Sequence, residues 1–328
     1  MAEPADLRWQ TQSLWQRLRP LLPGINVEVV ASLPSTNSEL IERARAAVGD
    51  DDLPITTPGD LDRQAHADGL ATTRQGRRAA EPLACLLVAE AQTQGRGRQG
   101  RQWQSALGAS LTFSLALPFA PASWSGLSLA VGVALADALE PGATAGTAGT
   151  PAAATATDSA AINSSAQRAP RIGLKWPNDL WLAGSTPQKL GGVLIETVPV
   201  GDRRMCIVGV GLNIAPQSLT ELSSGYACLQ QLHPGISAPA ALALVAEPLV
   251  RALLRFEQSG FLPFASAYAA RDVLRGRDVS TTLPALLQGR AQGVDSDGAL
   301  LVVDGAGRLH RIVGGEVSVR AIAATGAA

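Results

Sequence analysis

The sequence is poor in the residues that build metal centres and disulfide frameworks. It contains three cysteines and three histidines in 328 residues, and no two cysteines form a CxxC pair. Neither a zinc site nor a disulfide framework can be inferred from so few scattered ligands. The pattern GxxxxGK[ST] does not occur either, which excludes a P-loop for phosphate binding.

Neither sign of charge is in excess, and aromatic residues are few. The formal net charge is −1 and aromatics make up 4% of the chain, whereas general nucleic-acid binding usually requires a basic excess with interleaved aromatics. The N-terminus has no basic region followed by an apolar core, so no signal peptide is predicted. The longest apolar region, Leu111 to Leu139, is broken by PFAPASWSG and could not span a membrane as one helix. We therefore expect a cytoplasmic protein without membrane association.

Lysine is the scarcest charged residue. Of the 27 basic residues only Lys175 and Lys189 are lysines, and both fall within one short region. Lysine is a compact point charge whereas arginine is a planar fork, so the two are not interchangeable at a site that holds an anion. With only two residues the coincidence could be chance, but it marks a region of interest.

The chain divides by pattern into an extension and two domains. Residues 1–25 predict a polar helical extension, residues 26–271 a large α+β domain with a mixed sheet, and residues 272–324 a small all-β domain of short strands and Gly/Asp turns. The large domain carries two inserts, at about 49–82 and 141–170, that lack apolar periodicity and are expected to be surface loops. Hydrophobic residues make up 46% of the chain, enough for a sizeable core.

Several elements of the large domain can be predicted individually. LACLLVAE is a continuous apolar run typical of a strand buried on both faces. LTFSLAL, IGLKW, KLGGVLIETV and MCIVGVGLNI also predict strands, and SGLSLAVGVALADAL predicts a buried helix. Thr36 and Glu39 have the spacing of a capping box at the start of a helix. A helix from about residue 240 to 259 is expected to be interrupted at Pro248.

The segment EAQTQGRGRQGRQW, from Glu90 to Trp103, combines three glycines with three arginines directly after a predicted strand. Glycines let backbone N–H groups approach an anion and arginines add charge-assisted hydrogen bonds, so the segment is a candidate anion clamp. A solvated turn or an RGG-like nucleic-acid contact would explain the same composition.

Four further motifs also lie at predicted strand ends or helix starts, where α/β proteins tend to bind ligands. They are STN at 35–37, KWPND at 175–179, KLGGVLIE at 189–196 and GVGLN at 209–213. Each has a plain structural alternative, namely a helix cap, a proline-pinned turn or a solvated strand start. Together with the segment from Glu90 to Trp103 they offer two lysines, arginines, hydroxyls and amides around glycine-containing strands. That combination suits a nucleotide bound beside a small ligand with a polar head.

In this order the motifs resemble those of bacterial biotin–protein ligases of the form that lacks an N-terminal DNA-binding domain. FEQSGFLPF at 256–264 and GGEVSVR at 314–320 extend the resemblance, which covers residues from about 25 to 322 apart from the two inserts. It implies a class II synthetase-like fold with a C-terminal SH3-like β-barrel. The implied activity joins biotin to ATP as biotinyl-5′-AMP and then transfers biotin to one lysine of a biotin carboxyl carrier protein.

The resemblance also assigns roles residue by residue. Catalytic roles fall on Lys189, which would bridge the biotin carboxylate and the α-phosphate, on Arg98 in a loop over the adenylate, and on Asp179, as an orienter of the amine or a metal. The biotin-binding residues implied are Ser35, Thr36, Gln92, Gly95, Arg96, Lys189 and Gly192. The nucleotide-binding residues implied are Arg98, Trp103, Lys175, Asn178 and Asn213.

The resemblance implies ATP with Mg²⁺ and biotin as substrates, no tightly bound prosthetic group and no protein-held metal that can be assigned. The chain has no room for a DNA-binding domain before residue 25, so specific DNA binding is not expected, and a homodimer paired through the large sheet is left open. A lipoate ligase or octanoyltransferase of the same fold is the alternative, which the pairing of GRGRQGRQW with KWPND disfavours. A nucleic-acid-binding protein using the glycine–arginine segment is a more remote one, because it predicts a basic chain.

Overall fold

The computed structural model describes residues 8–49, 53–61, 83–143, 171–184, 187–200, 203–217, 225–313 and 319–321. Within these ranges the chain forms a seven-stranded mixed sheet flanked by helices and a five-stranded antiparallel sheet. The predicted α+β class is confirmed. The predicted insert at 141–170 lies outside the described residues except for 141–143, and of the insert at 49–82 only 49 and 53–61 are described.

The elements are as follows. The helices are α1 Thr11–Leu18, α2 Thr36–Val48, α3 Leu127–Leu139, α4 Ala238–Ser259 and α5 Ala265–Arg271. The strands of the first two-thirds of the chain are β1 Asn26–Leu33, β2 Cys85–Gln92, β3 Gly95–Arg96, β4 Gln102–Trp103, β5 Ser110–Phe119, β6 Ile172–Lys175, β7 Asp179–Leu182, β8 Gln188–Val200 and β9 Arg203–Asn213. The C-terminal strands are β10 Asp278–Leu283, β11 Leu286–Val294, β12 Leu300–Val303, β13 Leu309–Ile312 and β14 Val319–Ala321.

The large sheet has the strand order β1-β2-β5-β9-β8-β7-β6. Only β1 and β2 run parallel, and every other neighbouring pair is antiparallel. The helix α2 packs on one face of this sheet, with Leu40 and Ile41 buried against it. The helices α3 and α4 pack on the other face, where the main core lies. Because both faces are covered, the apolar run that became β2 is buried from Cys85 to Ala89, as its sequence predicts.

Three predicted details differ from the structure. The N-cap of α2 is Ser35, whose Oγ accepts from Ser38 N, so the capping box at Thr36 is wrong. The helix α4 is continuous through Pro248, so the predicted interruption is also wrong. Buried side chains before and after the proline hold both halves of α4 against the core, and this packing outweighs one lost backbone hydrogen bond.

The turn predicted at KWPND is confirmed, and the third difference is the strand that follows it, which makes KWPND the turn of a β-hairpin. Here β6 ends at Lys175, the peptide Trp176–Pro177 is cis, and β7 begins at Asp179. The strand β7 was not predicted from the sequence, because DLWL is too short to show a two-residue alternation.

The C-terminal sheet contacts the large domain close to this hairpin. The indole of Trp176 is buried and its Nε1 donates to the carbonyl of Gly298, at 3.2 Å. Gly298 in turn packs against Gly126, where an added Cβ would lie 2.7 Å from the Gly126 Cα. In the part of the chain that the structure describes, no helix is long and apolar enough to cross a membrane. The domain boundaries at residues 25 and 271 remain predictions.

Candidate active site

A cavity of about 810 Å³ lies over the large sheet and gathers most of the predicted site residues. It is lined by residues from α2, the glycine–arginine segment, β8, β9 and the β6–β7 hairpin, and by residues at the edge of the C-terminal sheet. The predicted site residues among its lining are Ser35, Thr36, Gln92, Arg96, Arg98, Trp103, Lys175, Asn178, Asp179, Lys189, Gly192 and Asn213.

Gly95 is the one predicted site residue that does not line this cavity. A Cβ at this position would lie 2.3 Å from the carbonyl oxygen of Trp103, which pairs with Gly95 in the β3–β4 ladder. Glycine at 95 therefore allows the two short strands to approach each other. The structure gives Gly95 a part in shaping the loop, and its direct contact with biotin stays a prediction.

The glycine–arginine segment forms a short hairpin of β3 and β4 with a 3₁₀ turn at Arg98–Gly100. Its last residue, Trp103, packs against β9 at Gly211, where an added Cβ would sit 2.5 Å from the indole Cε2. The Nζ of Lys189 is 5.9 Å from the centroid of the same ring. The segment therefore covers the sheet at the middle of the cavity.

Lys189 and Asp179 form an ion pair inside the cavity. The Nζ of Lys189 lies 2.7 Å from Asp179 Oδ1, and both side chains keep partial exposure to the cavity. Asp179 is opposite Gly192 in the β7–β8 ladder, and a Cβ at Gly192 would lie 3.6 Å from the lysine nitrogen. A charged partner fixes Lys189 in place, and the glycine keeps the space beside it clear.

Lys175 has a more repulsive environment. Burial lowers the pKa of Lys175 below its usual 10.5, and the nearby Asp179 carboxylate works in the opposite direction. Lys189, Arg101 and Arg320 lower the same pKa further, because like charges disfavour the ammonium form. Four cations beside one carboxylate make this end of the cavity suited to an anion of several charges.

The two predicted asparagines connect elements that line the cavity by hydrogen bonds. The Oδ1 of Asn178 accepts from Arg98 Nη1 at 3.3 Å, and its Nδ2 donates to the carbonyl of Val193 at 2.7 Å. The Nδ2 of Asn213 donates to the carbonyls of Lys189 at 3.2 Å and Ala227 at 2.9 Å. Asn178 thus ties the loop to β8, and Asn213 fixes the backbone that carries Lys189. Direct contact of either residue with a nucleotide remains a prediction.

The opposite end of the cavity is a cluster of buried polar side chains at the start of α2. Ser35, Thr36 and Asn37 are each 3% exposed. The Oε1 of Gln92 accepts from the Thr36 N–H at 2.7 Å, which leaves the Gln92 amide nitrogen as a donor. We name this cluster, together with the half-buried Gln92 and the exposed Arg96, the head pocket; its residues are Ser35, Thr36, Asn37, Gln92 and Arg96.

Two buried residues that sequence reasoning missed support the head pocket. Glu196 on β8 accepts from Arg96 Nη2 at 2.7 Å and from Asn37 Nδ2 at 2.8 Å. Ser114 on β5 contacts both Thr36 Oγ1 and Asn37 Oδ1, at 2.7 and 2.6 Å. Glu196 is a charged residue in an otherwise apolar run, and that could have identified it. Ser114 gives no such signal, because a serine in a strand is unremarkable without its neighbours.

Comparison with known proteins gives matches to both parts of the chain. Residues 79–213 match the model of the biotin/lipoate A/B protein ligase family, and residues 281–320 match that of the biotin protein ligase C terminal domain. Among solved structures, a biotin protein ligase from Aquifex aeolicus in complex with biotin and ATP is similar, with a TM-score of 0.60 and 22% identity. The similarity covers 90% of this chain and 99% of that one, and it supports the fold.

Curated relatives are similar in sequence. The biotin–[acetyl-CoA-carboxylase] ligase of Mycobacterium tuberculosis is 30% identical over 298 residues, which cover 89% of this chain and 85% of that protein. The bifunctional ligase/repressor BirA of Escherichia coli (strain K12) is 31% identical over 239 residues, or 71% of this chain. The chain spans only 65% of the length of that relative.

Proposed function

The chain belongs to the biotin protein ligase family, and from this premise we propose that it is an ATP-dependent ligase that attaches biotin to a biotin carboxyl carrier protein. The observation that carries the proposal is a row of glycines along β8 and β9, which we name the glycine track; its residues are Gly192, Gly209 and Gly211. Asn37 of the head pocket lies on Gly209, the Trp103 indole lies on Gly211, and Asn213 holds the Lys189 backbone. From Gly209 to Asn213 the strand rises about 13 Å, at about 3.3 Å per residue.

This track suits a molecule with a polar head, a thin apolar chain and a carboxylate. Biotin's ureido ring would occupy the head pocket, its valeryl chain would run beside the Trp103 indole that covers Gly211, and its carboxylate would reach Lys189. A lipoyl dithiolane or an octanoyl chain has no hydrogen-bonding groups for the buried Ser35 and Thr36 or for the half-buried Gln92, and leaving buried polar groups unpaired is unfavourable. The head pocket therefore favours biotin over the acids of the sister ligases.

In the first step a biotin carboxylate oxygen would attack the α-phosphorus of ATP. The new bond is a carboxyl–phosphate anhydride, and pyrophosphate leaves with the electron pair of the broken P–O bond. Two anions must approach each other, so cations that are fixed beforehand lower the barrier. Lys189 would lie between the two groups, exchanging its contact with Asp179 for the anions, while Lys175, Arg101 and Arg320 would face the phosphates.

In the second step the amine of the acceptor lysine would attack the biotinyl carbonyl. An amide bond forms, AMP leaves, and the amine gives up a proton. Asp179, once it is released from Lys189, is the carboxylate nearest to the reacting groups and would orient that amine. The glycine–arginine hairpin would meanwhile exclude water from the anhydride, which is the usual task of a loop that covers a reactive intermediate.

Mg²⁺ enters this proposal as the ion that accompanies ATP and neutralises part of the phosphate charge. Within the described ranges no group of three His, Cys, Asp or Glu residues lies together as a metal site, so none of these residues is assigned to the ion. The carrier protein as acceptor, a cytoplasmic location, a homodimer and the lack of specific DNA binding likewise remain predictions.

The test is transfer of biotin to a purified carrier domain. We expect the protein with ATP, Mg²⁺ and biotin to add one biotin to the acceptor lysine, as measured by intact mass. Lys189→Ala should abolish adenylate formation, and with it the transfer, while Lys189→Ala with synthetic biotinyl-5′-AMP should recover part of it. Full activity of Lys189→Ala from ATP would contradict the placement of the chemistry.

A further inference from the structure

Glu196 is a buried carboxylate that the proposed two-step reaction does not use. Its side chain is 5% exposed, and its two oxygens serve two different donors. Oε1 accepts from Arg96 of the hairpin and Oε2 accepts from Asn37 of α2. A buried charge is costly unless it is paired and hydrogen-bonded, and Glu196 meets this condition through Arg96 and Asn37. Removing or neutralising the carboxylate therefore changes the contacts of both donors.

The contacts of Asn37 fix the orientation of its amide. Its Nδ2 donates to Glu196 Oε2 at 2.8 Å and to the carbonyl of Leu194 at 3.2 Å. Both partners are acceptors, so the nitrogen must face β8 and Oδ1 must face Ser114, whose Oγ is 2.6 Å away. The amide also lies on β9, where a Cβ at Gly209 would come within 2.3 Å of Oδ1.

The orientation of the Asn37 amide determines which way the hydroxyl protons of Ser114 and Thr36 point. Ser114 has one proton, which it donates to Asn37 Oδ1, so its oxygen is left to accept from the Thr36 hydroxyl at 2.7 Å. The contact from Thr36 Oγ1 to Gln92 Oε1 is longer, at 3.2 Å, and that oxygen already accepts from the Thr36 N–H. The Thr36 proton therefore points at Ser114, and the lone pairs of Thr36 Oγ1 remain for a ligand.

We propose that Glu196 is a positioning residue that, through Asn37 and Ser114, makes Thr36 an acceptor for a ring N–H of biotin. Its other oxygen holds Arg96 beside the same pocket. The inference rests on the proposed function, since it takes the ureido ring as the occupant of the head pocket. Without the carboxylate only the longer contact to the Leu194 carbonyl, at 3.2 Å, holds the Asn37 amide in this orientation. The amide can then reverse, and Thr36 becomes a donor facing a donor.

The test compares ligands that differ in one hydrogen-bond donor. Glu196→Gln offers one acceptor oxygen in place of two, so it cannot serve Arg96 and Asn37 together. Ser114→Ala removes the hydroxyl that connects Asn37 to Thr36 by hydrogen bonds, and it removes no charge. Biotin and its two carbamate analogues, in which one or the other ring N–H is replaced by oxygen, would be titrated by calorimetry. Glu28→Gln is the matched control, because Glu28 also pairs with an arginine, Arg43, but lies outside the cavity.

We expect Ser114→Ala to weaken biotin binding about tenfold and to leave one of the two analogues bound as tightly as by the unmodified protein. Glu196→Gln should weaken the binding of biotin more than the binding of that analogue, and Glu28→Gln should change neither affinity. If both variants weaken biotin and both analogues equally, the carboxylate has only a structural role and the inference is overturned. If the unmodified protein does not bind biotin, the proposed function fails and this inference fails with it.

Discussion

At the scale of single residues, the two lysines of the chain have different electrostatic surroundings. Lys189 has a carboxylate 2.7 Å from its Nζ, which holds the side chain in place. Lys175 is half-buried among other cations, and burial lowers its pKa. A lysine in such a place binds phosphate as a point charge but only while it is protonated. The composition indicated the region that contains both lysines, but it could not distinguish these two environments, which depend on residues far apart in the chain.

This difference predicts a pH-dependent affinity for ATP. The charged form of Lys175 is the one that binds phosphate, and it is lost as the pH rises through a pKa that lies below the usual 10.5. We therefore expect the KM for ATP to rise at a lower pH than the one at which an ordinary lysine would lose its charge. Lys175→Arg keeps its charge over this range and should flatten the profile. Identical profiles for the two proteins, measured by pyrophosphate exchange, would contradict this assignment.

At the scale of elements, the β3–β4 hairpin depends on glycines of β9 for its position. Trp103 can lie on the sheet only because residue 211 has no side chain. The hairpin is also tied to the β6–β7 turn through Arg98 and Asn178. A loop held at both of these points covers the centre of the cavity, which is where the proposed anhydride would form.

Gly211→Ala should displace the indole of Trp103. The new Cβ would meet the ring at 2.5 Å, so the ring must leave its place on β9. We expect a KM for ATP raised about tenfold or more, with biotin binding reduced less, because the head pocket lies two residues away along the strand. Gly305→Ala is the control, since nothing lies within 4 Å of an added Cβ there. Equal kinetics for both variants would show that Trp103 has no part in ATP binding.

Arg98→Gly should release the intermediate. With the contact to Asn178 lost, the hairpin covers the cavity less tightly and biotinyl-5′-AMP escapes to acylate lysines at random. The measurement is biotin incorporation into serum albumin, which no ligase should recognise as an acceptor. Arg98→Lys keeps the charge and should leak less than the glycine variant. Leakage from Arg98→Gly at or below the level of the unmodified protein would exclude the hairpin as a lid.

Most strands and the main helices could be predicted, because apolar runs are local in the sequence. All predicted site residues but Gly95 line one cavity, and their roles stay predictions. The buried residues that support the site could not be predicted from the sequence. Glu196, Ser114 and Asn37 are brought together from β8, β5 and α2, and no local pattern relates them. The continuity of α4 through Pro248 was missed for a similar reason, since packing against the core is not visible in the helix itself.

At the scale of the whole molecule, Arg271 joins elements that are distant in the chain. Its guanidinium is fully buried and pairs with Asp137 and Glu140 at the end of α3, both at 3.0 Å. It also donates to the carbonyl of Ile172, the first residue of the β6–β7 hairpin that carries Lys175 and Asp179. Arg271 is the last residue of α5, just before the C-terminal sheet, so these contacts lie at the junction of the two parts.

Arg271→Leu should therefore destabilise the fold more than it affects ligand binding. Asp137 is 39% exposed, so the main loss is the pair with the more buried Glu140, and breaking a buried ion pair typically costs about 3–5 kcal/mol. We expect a loss of that size in the free energy of unfolding, measured by chemical denaturation. Arg251→Ala removes an ion pair with Glu247 in which the Arg251 side chain is 61% exposed. This change should cost about 0.5 kcal/mol or less. Similar losses for both would contradict the assigned importance of the Arg271 cluster.

The measurement that tests the account most directly is ATP–pyrophosphate exchange by the purified protein, with biotin, lipoate or octanoate as the acid. It isolates the first step, which is the one that the head pocket, the glycine track and Lys189 are proposed to perform. We predict Mg²⁺-dependent exchange with biotin and none above background with the other two acids. Exchange with lipoate or octanoate in place of biotin, or no exchange with any acid by a folded sample, would contradict the account.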